Sequence, residues 1–456
     1  MKDWVSNKLA KWCIELRAED LPDDVLTKAE GVILDAIACA IPGCHTQGAK
    51  RIHAVAKSTF GSGDAIIWFD SARVQATAAA FANSASVSML DLDDGHRSAL
   101  GHPGAAIIPA ALAAAGPHAQ GIELLKNVVA GYEVCIRIGM SENRKSYHTG
   151  NWTGLGVAAT AGLYAGITEQ QLAHALATTS YHGPRVADLT LSADMGANVK
   201  ESIPWSVVTG FIAKDLAIQG FTGCRDAMDI TERYDPKKAL AGLDDGYFPS
   251  QAGKHSHAIM RTYFKRYACC RWIHSSIEAL LEIMRGRNLK HDDIKSIRVE
   301  TFKQAANLNN LAEPTTPESG QYSIPYSMAI VAVLGEDTLP PPTSECLHHP
   351  EIVKFATKIE VIHNQSMDSA FPVTSPARIF VTTANGTFEA FVEVLWGDPD
   401  QPLSREDLVG KFKTLAHRRM SDDDVMSIIS AVQSLRNGGV KPLLEALAAA
   451  TCLPAE

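Results

Sequence analysis

Residues 89–116, MLDLDDGHRSALGHPGAAIIPAALAAAG, place acids and imidazoles directly before an apolar stretch. Asp91, Asp93 and Asp94 are followed by His96 and His102. Burial of charged groups costs free energy unless they are paired, bind a metal or take part in a reaction. Carboxylates beside histidines suit acid–base chemistry, because imidazole titrates near neutral pH and a carboxylate orients it and raises its basicity. The ordinary alternative is that the aspartates cap the following helix and complement its dipole.

Three further segments concentrate polar residues among small or apolar ones. KSYHTGNWTGLG places His148 and a glycine-rich turn before a helix, and such a helix N-terminus attracts anions. ADMGANVKESIPWS sets Lys200 among small and apolar residues. FKRYACCRWIHSS holds, in this order, Lys265, Arg266, Tyr267, Arg271 and His274. Structural alternatives are a satisfied histidine, a solvated lysine and, at Cys269 and Cys270, buried thiols, because adjacent cysteines are poorly spaced for metal or redox work.

The motifs of several large enzyme classes are absent from the sequence. It has no HExxH, GxGxxG, GxxxxGK[ST] or GxSxG segment, which argues against the common zinc, dinucleotide, nucleotide and serine-hydrolase sites. DLDD, residues 91–94, could bind a divalent cation or serve as the acid of a terpene-type cyclase. A cyclase needs an aromatic-lined pocket for its carbocations, whereas aromatic residues make up only 7%. A metal site would need further ligands besides DLDD, and the sequence offers none at a convincing spacing. Metal binding and cyclase chemistry both stay alternatives.

Bulk composition limits the class of protein. The 456 residues are 46% hydrophobic, enough for a large core and about two domains. The net charge is −9 and no Lys or Arg run occurs, so we expect no nucleic-acid partner. The amphipathic first helix lacks the apolar core of a signal peptide, and the apolar runs are too short to span a bilayer. Nine scattered cysteines suit reduced thiols. We expect a soluble, cytoplasmic protein with no membrane partner.

The elements that would position the polar segments fall into two groups. From residue 1 to about 220 the apolar pattern is helical, without a repeat. Farther on, IKSIRVETFK and TKIEVIHN predict strands, and ARIFVTTANGTFEAFVEVLW predicts a hairpin that turns at Asn385 and Gly386. The last three segments return to helices. We predict a mainly α protein with a large all-helical domain, residues 1–265 plus 400–456, and a smaller α+β lid domain, residues 266–399. A cleft between them would hold a small molecule.

Taken in order, the polar segments resemble the MmgE/PrpD family of 2-methylcitrate dehydratases, cis-aconitate decarboxylases and iminodisuccinate epimerases. LDLDDGHRSALGHPGAAIIPA resembles its Asp-x-Asp-Asp…His-Pro segment, YHTGNWTGLGVAATAG its histidine–glycine helix entry, and GANVKESIPWSVVTG its lysine segment. FKRYACCRWIHSSIEAL resembles its Tyr-x-Cys-Cys-Arg…His segment, and QYSIPYSMAIVAVL the lid helix that follows. The resemblance covers nearly the whole chain.

The resemblance implies a helical body with an α+β lid, a homodimer, and no metal or organic cofactor. It implies a catalytic set of Asp91, His102, His148, Lys200 and His274. We assign substrate contacts to Asp94, His96, Arg266, Tyr267, Arg271 and Tyr322. The sequence departs from some members, decarboxylases among them: Gly95 replaces a threonine and the Asp91–His102 loop is one residue longer. ESIPWS also lacks a histidine that other branches carry.

The reactions of this family share one requirement, which is to form and quench a carbanion beside carboxylates. They need a base, an acid and fixed positive charge over the developing enolate. Histidines suit the proton transfers, and lysine or arginine suits the charge. We predict a cofactor-independent carbon–oxygen lyase that dehydrates a small citrate-like or alkylcitrate-like acid of the 2-methylcitrate type. The alternatives are a cis-aconitate-type decarboxylase, an iminodisuccinate-type epimerase, and a non-catalytic binding protein on the same scaffold.

Overall fold

A computed structural model describes residues 3–143, 149–184, 192, 194–250, 253–335 and 344–454. In this part of the chain no helix is both long and apolar enough to cross a bilayer. The mainly α architecture, with a smaller α+β part, is as predicted.

The first part of the chain is a body of tightly packed helices. In α2 (Asp23–Gly43), Asp23 and Asp24 lie in the first turn, where acids complement the helix dipole, and every residue from 29 to 43 is buried. The helix ends at Gly43, as predicted, and the close packing there requires a glycine, because a β-carbon would lie 1.8 Å from the backbone oxygen of Ser86. The helices of this body are α1 (Val5–Glu15), α2 (Asp23–Gly43), α3 (Gln47–Thr59), α4 (Ala76–Ser88), α5 (Gly104–Ala115), α6 (Gly121–Ser141), α7 (Thr149–Tyr164), α8 (Glu169–His182), α9 (Ile203–Ile218) and α10 (Pro236–Leu240).

Short antiparallel ribbons join these helices and bring distant segments together. They pair β1 (Ala65–Ile66) with β2 (Arg73–Val74), β3 (Gly95–His96) with β6 (Thr262–Tyr263), and β4 (Phe248–Ser250) with β5 (Gly253–His255). The β3–β6 pair places the segment after Asp94 beside the segment that precedes Lys265. Two of the polar segments of the sequence therefore meet here.

The second part of the chain contains a four-stranded sheet. Its strands, in spatial order, are β10 (Gly386–Val392), β9 (Ala377–Thr383), β7 (Ile294–Thr301) and β8 (Ile359–His363). β7 pairs parallel to β8 and antiparallel to β9, and the predicted hairpin is confirmed by the pairing of Thr383 with Gly386. β9 alternates buried and half-buried residues, so one face of the sheet covers a core. The elements are α11 (His274–Arg287), β7 (Ile294–Thr301), α12 (Lys303–Ala306), α13 (Pro317–Gly320), α14 (Ile324–Leu334), α15 (Ser344–Leu347), α16 (Pro350–Ala356), β8 (Ile359–His363), β9 (Ala377–Thr383) and β10 (Gly386–Val392).

The last three helices return to the helical body. α17 (Arg405–Ala416), α18 (Asp422–Gln433) and α19 (Lys441–Ala449) bury Phe412, Ile428 and Leu443 in the same hydrophobic cluster as Leu9 and Val129. A second large cluster is built almost entirely from residues between 267 and 390. The division of the chain into domains at 265/266 and 399/400 stays a prediction. The existence of two separate hydrophobic cores is the observation on which it rests.

Candidate active site

Two ammonium groups and one imidazole converge on the buried carboxylate of Asp91. Its Oδ1 lies 2.9 Å from Nζ of Lys265, 3.4 Å from Nζ of Lys200 and 3.3 Å from Nε2 of His102. All four residues are at most 4% exposed. Burial alone would raise the pKa of Asp91, but Lys200, Lys265 and His102 together outweigh it and hold the pKa well below its usual range. Asp91 is therefore an ionised carboxylate at any ordinary pH.

The backbone presents Asp91 and Lys200 in a conformation that residues with a side chain rarely adopt. Asp91 follows α4 with φ of 52°, and Lys200, Glu201 and Ser202 have φ of 46°, 54° and 57° before α9 begins. Left-handed backbone costs about 1–2 kcal/mol per residue with a β-carbon, and such strain is concentrated at functional sites. The turn at 200–202 directs the lysine into the core, so Lys200 is not the solvated lysine of the structural alternative.

His102 is held by both of its ring nitrogens. Nδ1 lies 2.8 Å from the backbone oxygen of Asp94, and Nε2 faces Asp91. Burial and the ammonium of Lys265 lower the pKa of His102 to about 3, although Asp91 opposes them. The imidazole is thus neutral, with Nδ1–H donating to the carbonyl and Nε2 left as an acceptor. A proton gained at Nε2 would lie against the Asp91 carboxylate, which stabilises it.

Asp93 and Asp94 have different surroundings. Asp94 accepts a hydrogen bond from the N–H of Gly104, the first residue of α5, at 2.8 Å and another from the Tyr132 hydroxyl at 2.6 Å. The capping interpretation therefore describes Asp94, whose pKa is raised to about 7 by burial. Asp93 lies 3.5 Å from Nδ1 of His102, and its carboxyl oxygens have no hydrogen-bond partner among the described residues. Burial raises its pKa well above the usual value, which favours the protonated form of Asp93.

Lys200 is joined to the second part of the chain through one amide and one phenol. Its Nζ donates to Oε1 of Gln321 at 3.1 Å and to the hydroxyl of Tyr322 at 3.3 Å. The Gln321 side chain also donates to the backbone oxygen of Met89, at 2.9 Å, beside the Asp91 turn. Tyr322, a predicted substrate contact, thus lies next to the lysine. Gln321 connects three segments that are far apart in the sequence.

Arg271 and His274 form a separate, neighbouring group. Nη2 of Arg271 donates to Oδ1 of Asp398 at 2.9 Å, and Arg97 binds the same carboxylate through two nitrogens. Since arginine can only donate, Nδ1 of His274 accepts from Arg271 at 3.2 Å, and Nε2–H donates to the backbone oxygen of Cys269 at 3.3 Å. Burial and Arg271 lower the pKa of His274 well below its usual value. In this arrangement His274 orients Arg271.

The other predicted residues have varied positions. His96 is buried against Phe248, with ring centroids 5.9 Å apart, and Nδ1 accepts from the backbone of Ala99. Tyr267 donates to Glu278 at 2.6 Å and packs its ring on His274, at 5.1 Å. Arg266 points outward into a pocket of about 300 Å³ that Trp396 and α17 also line. His148 lies outside the described residues, so its catalytic role stays a prediction.

Sequence reasoning gave no role to three residues that the structure brings into this region. Lys265 makes the shortest contact with Asp91 and is completely buried, yet its neighbour Arg266 received the assignment. Gln321 stands directly before Tyr322, and Asp398 lies in a GDPD turn. The one sequence signal for Lys265 was its apolar neighbours, because a lysine buried among them must pair with an acidic group. The partners of Gln321 and Asp398 are too distant in the sequence for any local pattern.

The cluster also contains a possible set of metal ligands. Ligand atoms of Asp91, Asp93 and His102 lie within 4.8 Å of one another. The two ammonium groups already pair with the Asp91 carboxylate, and burial raises the pKa of Asp93, whereas a bound divalent cation needs deprotonated ligands. The geometry therefore fits a charge-paired organic site better than a metal centre.

Comparison with known proteins agrees with this geometry. Residues 7–235 match the MmgE/PrpD N-terminal domain and residues 267–437 match the MmgE/PrpD C-terminal domain. Cis-aconitate decarboxylase of Aspergillus terreus (strain NIH 2624 / FGSC A1156) is 26% identical over 98% of this chain and 96% of its own length. The cis-aconitate decarboxylases of Homo sapiens and Mus musculus are 25% and 23% identical, over 92% of this chain and 90% and 88% of theirs. The chain belongs to the MmgE/PrpD family.

Proposed function

We propose that the protein is a lyase that forms a carbanion beside a carboxylate of a small polycarboxylic acid. The observation that carries the proposal is the buried group of Asp91, Lys200 and Lys265, in which two ammonium groups face one carboxylate. Because burial favours the neutral forms of Asp93 and His102, the two ammonium groups leave an excess of positive charge over the one carboxylate of Asp91. In a buried site such charge stabilises an anionic substrate and, more strongly, a developing enolate.

His102 supplies the proton transfer in this proposal. Its neutral imidazole can accept a proton at Nε2 and return it, and Asp91 stabilises the imidazolium in between. Lys200 and Tyr322 lie where they can hold a substrate carboxylate. Arg271, bound to Asp398, would define the far end of the substrate rather than the reacting carbon.

Decarboxylation of a cis-aconitate-like acid is the reaction that the relatives favour, because those named above are cis-aconitate decarboxylases. In that reaction one carboxylate leaves as carbon dioxide, its bonding electron pair stays on the substrate as an enolate-stabilised carbanion, and one proton quenches it. The sequence alone placed dehydration first, and the names of the relatives change that order.

Dehydration of a citrate-like or alkylcitrate-like acid stays a second candidate because of Gly95. A β-carbon at this position would lie 2.3 Å from the ring and hydroxyl of Tyr263 on the paired strand. A threonine here, as the sequence resemblance implies for some members of the family, would require the Tyr263 ring to move, and in this chain the tyrosine hydroxyl lies at that position. A changed hydroxyl next to Asp94 and His96 is a reason to expect a different substrate.

The homodimer is part of the same proposal. Val199, Trp205 and Ile212, which lie on or just before α9, are 58%, 52% and 43% exposed in the single chain. Large apolar side chains exposed along one short stretch of chain are typical of a surface that another copy covers. Light scattering on the purified protein gives the mass directly, and a monomer at micromolar concentration would contradict this part.

The activity is tested with a substrate panel of cis-aconitate, citrate, 2-methylcitrate and iminodisuccinate. Carbon dioxide release identifies decarboxylation, alkene absorbance identifies dehydration, and loss of optical rotation identifies epimerisation. Each substrate is repeated with His102→Gln, and with His348→Gln as a surface control. We expect turnover of one substrate by the wild type and the control only. Saturable binding of a panel acid, unchanged in His102→Gln and without turnover, would instead indicate a binding protein.

A further inference from the structure

Two thiols and an imidazole meet far from the Asp91 group, at the end of α2. Cys44 directly follows α2, His45 is the next residue, and Cys452 lies just beyond α19. Both Sγ atoms and a ring nitrogen of His45 lie within 4.8 Å of one another, and Nε2 is 3.3 Å from Sγ of Cys452. All three residues are partly exposed. The cysteines that looked scattered in the sequence therefore include a spatial pair.

The backbone on each side holds this pair in place. The sulfur atoms of Cys44 and Cys452 lie 3.3 and 3.2 Å from the same backbone oxygen, that of Ile41. The N–H of Cys44 donates to Ala40, and the N–H of the residue after Cys452 donates to the backbone oxygen of Arg419. The two sulfur atoms thus meet at a defined point rather than by chance rotation of a free loop.

The surroundings favour the thiolate form of one cysteine and the thiol form of the other. A hydrogen bond from Cys44 lowers the pKa of Cys452 to about 6, since it outweighs burial, and His45 and Arg419 act in the same direction. The same hydrogen bond, with burial, raises the pKa of Cys44. An accessible thiolate beside a second thiol is the usual arrangement of redox-sensitive cysteines.

We propose that Cys44 and Cys452 form a reversible disulfide that fastens the segment after α19 to the end of α2. With hydrogen peroxide as oxidant, the Cys452 thiolate attacks the O–O bond, becomes a sulfenic acid and releases hydroxide. The sulfur of Cys44 then attacks the sulfenic sulfur, and its proton leaves with the second oxygen as water, with His45 as the nearest base. Two thiols and one peroxide yield one disulfide and two waters, and a dithiol reverses the reaction.

Zinc is the other occupant that these residue types allow. Structural zinc sites use four protein ligands, and the described part of the chain brings three ligand groups of this kind together here. Two of the three are also adjacent in sequence, whereas zinc-binding pairs are usually separated by two to four residues. The observations therefore favour the disulfide, and retained zinc is an outcome that overturns it.

The link would act on α19. This helix is anchored by Leu443 and Leu447, which are buried in the helical core, and by the N–H of Phe69 on the backbone oxygen of Leu447. Only three of the nine residues of α19 are buried, and a helix with so few buried residues opens locally more easily than the core does. A covalent bond just beyond α19 would suppress that opening, so oxidation is expected to protect the helix.

The experiment treats the purified protein with equimolar peroxide and maps its peptides without reduction. We expect a linked peptide containing Cys44 and Cys452, with a mass lower by about 2 Da than the sum of the two thiol peptides. It should form in the wild type and in Cys224→Ser, the control at an exposed thiol, and disappear with dithiothreitol. Neither Cys44→Ser nor Cys452→Ser should form it. Amide exchange in α19 should slow in the oxidised protein only.

Three results would overturn the proposal. One is the absence of the linked peptide in wild-type protein whose Cys224 has been oxidised. Another is zinc that copurifies at one equivalent and is lost in both serine variants. Because the serine variants could misfold, a rate is also measured on the folded wild-type protein. At pH 7, iodoacetamide should alkylate Cys452 at least about tenfold faster than Cys224. His45→Gln should slow the alkylation of Cys452. Equal rates at the two thiols would also contradict the proposal.

Discussion

Replacement of Lys265 by methionine tests the centre of the site, because this side chain is completely buried and makes the shortest contact with Asp91. At an effective dielectric constant of about 20, two unit charges attract by about 6 kcal/mol at 2.9 Å and by about 5 kcal/mol at the 3.4 Å of Lys200. Methionine also removes the cost of burying an ammonium, several kcal/mol, and Lys200 stays beside Asp91. We therefore expect a net loss of about 3 kcal/mol in the free energy of unfolding, the lower end of the range for a broken buried pair.

The same substitution should lower kcat by about 10²–10³-fold, the usual effect of removing one fixed charge from transition-state stabilisation. Urea unfolding followed by circular dichroism gives the stability, and turnover is measured per folded molecule. The control is Arg137→Met, which breaks another fully buried pair, with Glu133 at 2.6 Å. It should lose stability but keep kcat.

A double-mutant cycle separates the pair from its surroundings. Asp91→Asn combined with Lys265→Met should destabilise by less than the sum of the single variants, by about 1 kcal/mol or more. Additive losses, or a Lys265→Met protein within about 0.5 kcal/mol of wild type with normal kcat, would refute the reasoning, because residues in contact are expected to couple.

The remaining predictions concern proton transfer, binding, pH and metals. His102→Gln should keep the fold and most affinity and lower kcat by about 10²–10⁴-fold in steady-state kinetics. Lys200→Met should mainly raise KM if the lysine stabilises the bound substrate and the transition state equally. A fall in kcat of similar size would show that the lysine also stabilises the developing enolate. Asp94 and Glu201 have pKa values raised to about 7, so their protonated forms favour the folded state. Stability should therefore fall as pH rises from about 4 through about 7, and urea midpoints at pH 5.5 and 7.5 should converge in Asp94→Asn and Glu201→Gln. EDTA should leave turnover unchanged, and inactivation reversed by Mg²⁺ or Zn²⁺ would make DLDD a metal site.

Local patterns were sufficient for most of the fold. The hairpin at Asn385 and Gly386 follows from turn chemistry between alternating strands, and the end of α2 at Gly43 follows from a proline and a glycine. Such signals lie within a few residues of the structure that they specify. The sequence was therefore informative about the elements and about the order of the polar segments.

The direction of a side chain was harder to predict. Lys265 and Arg266 are adjacent and both basic, and only the β3–β6 pairing and the packing beyond it decide that the lysine faces Asp91 while the arginine packs on Tyr267 and Trp396. The same limit applies to Asp398, whose partners stand 127 and 301 positions away. Contacts at such separations arise from tertiary packing, so no periodicity records them.

The amide of Gln321 has a consequence for the order in which the molecule is made. It joins the backbone of Met89 to the ammonium of Lys200, although Gln321 stands 232 positions after Met89 in the sequence. A ribosome that has translated only the helices up to α10 has delivered Asp91, His102 and Lys200, but neither Lys265 nor Gln321. Because domains fold in order of synthesis and long-range contacts form late, the nascent chain carries these three groups without the second ammonium group and the amide that complete the site. Catalytic competence should therefore be among the last properties that the growing polypeptide acquires.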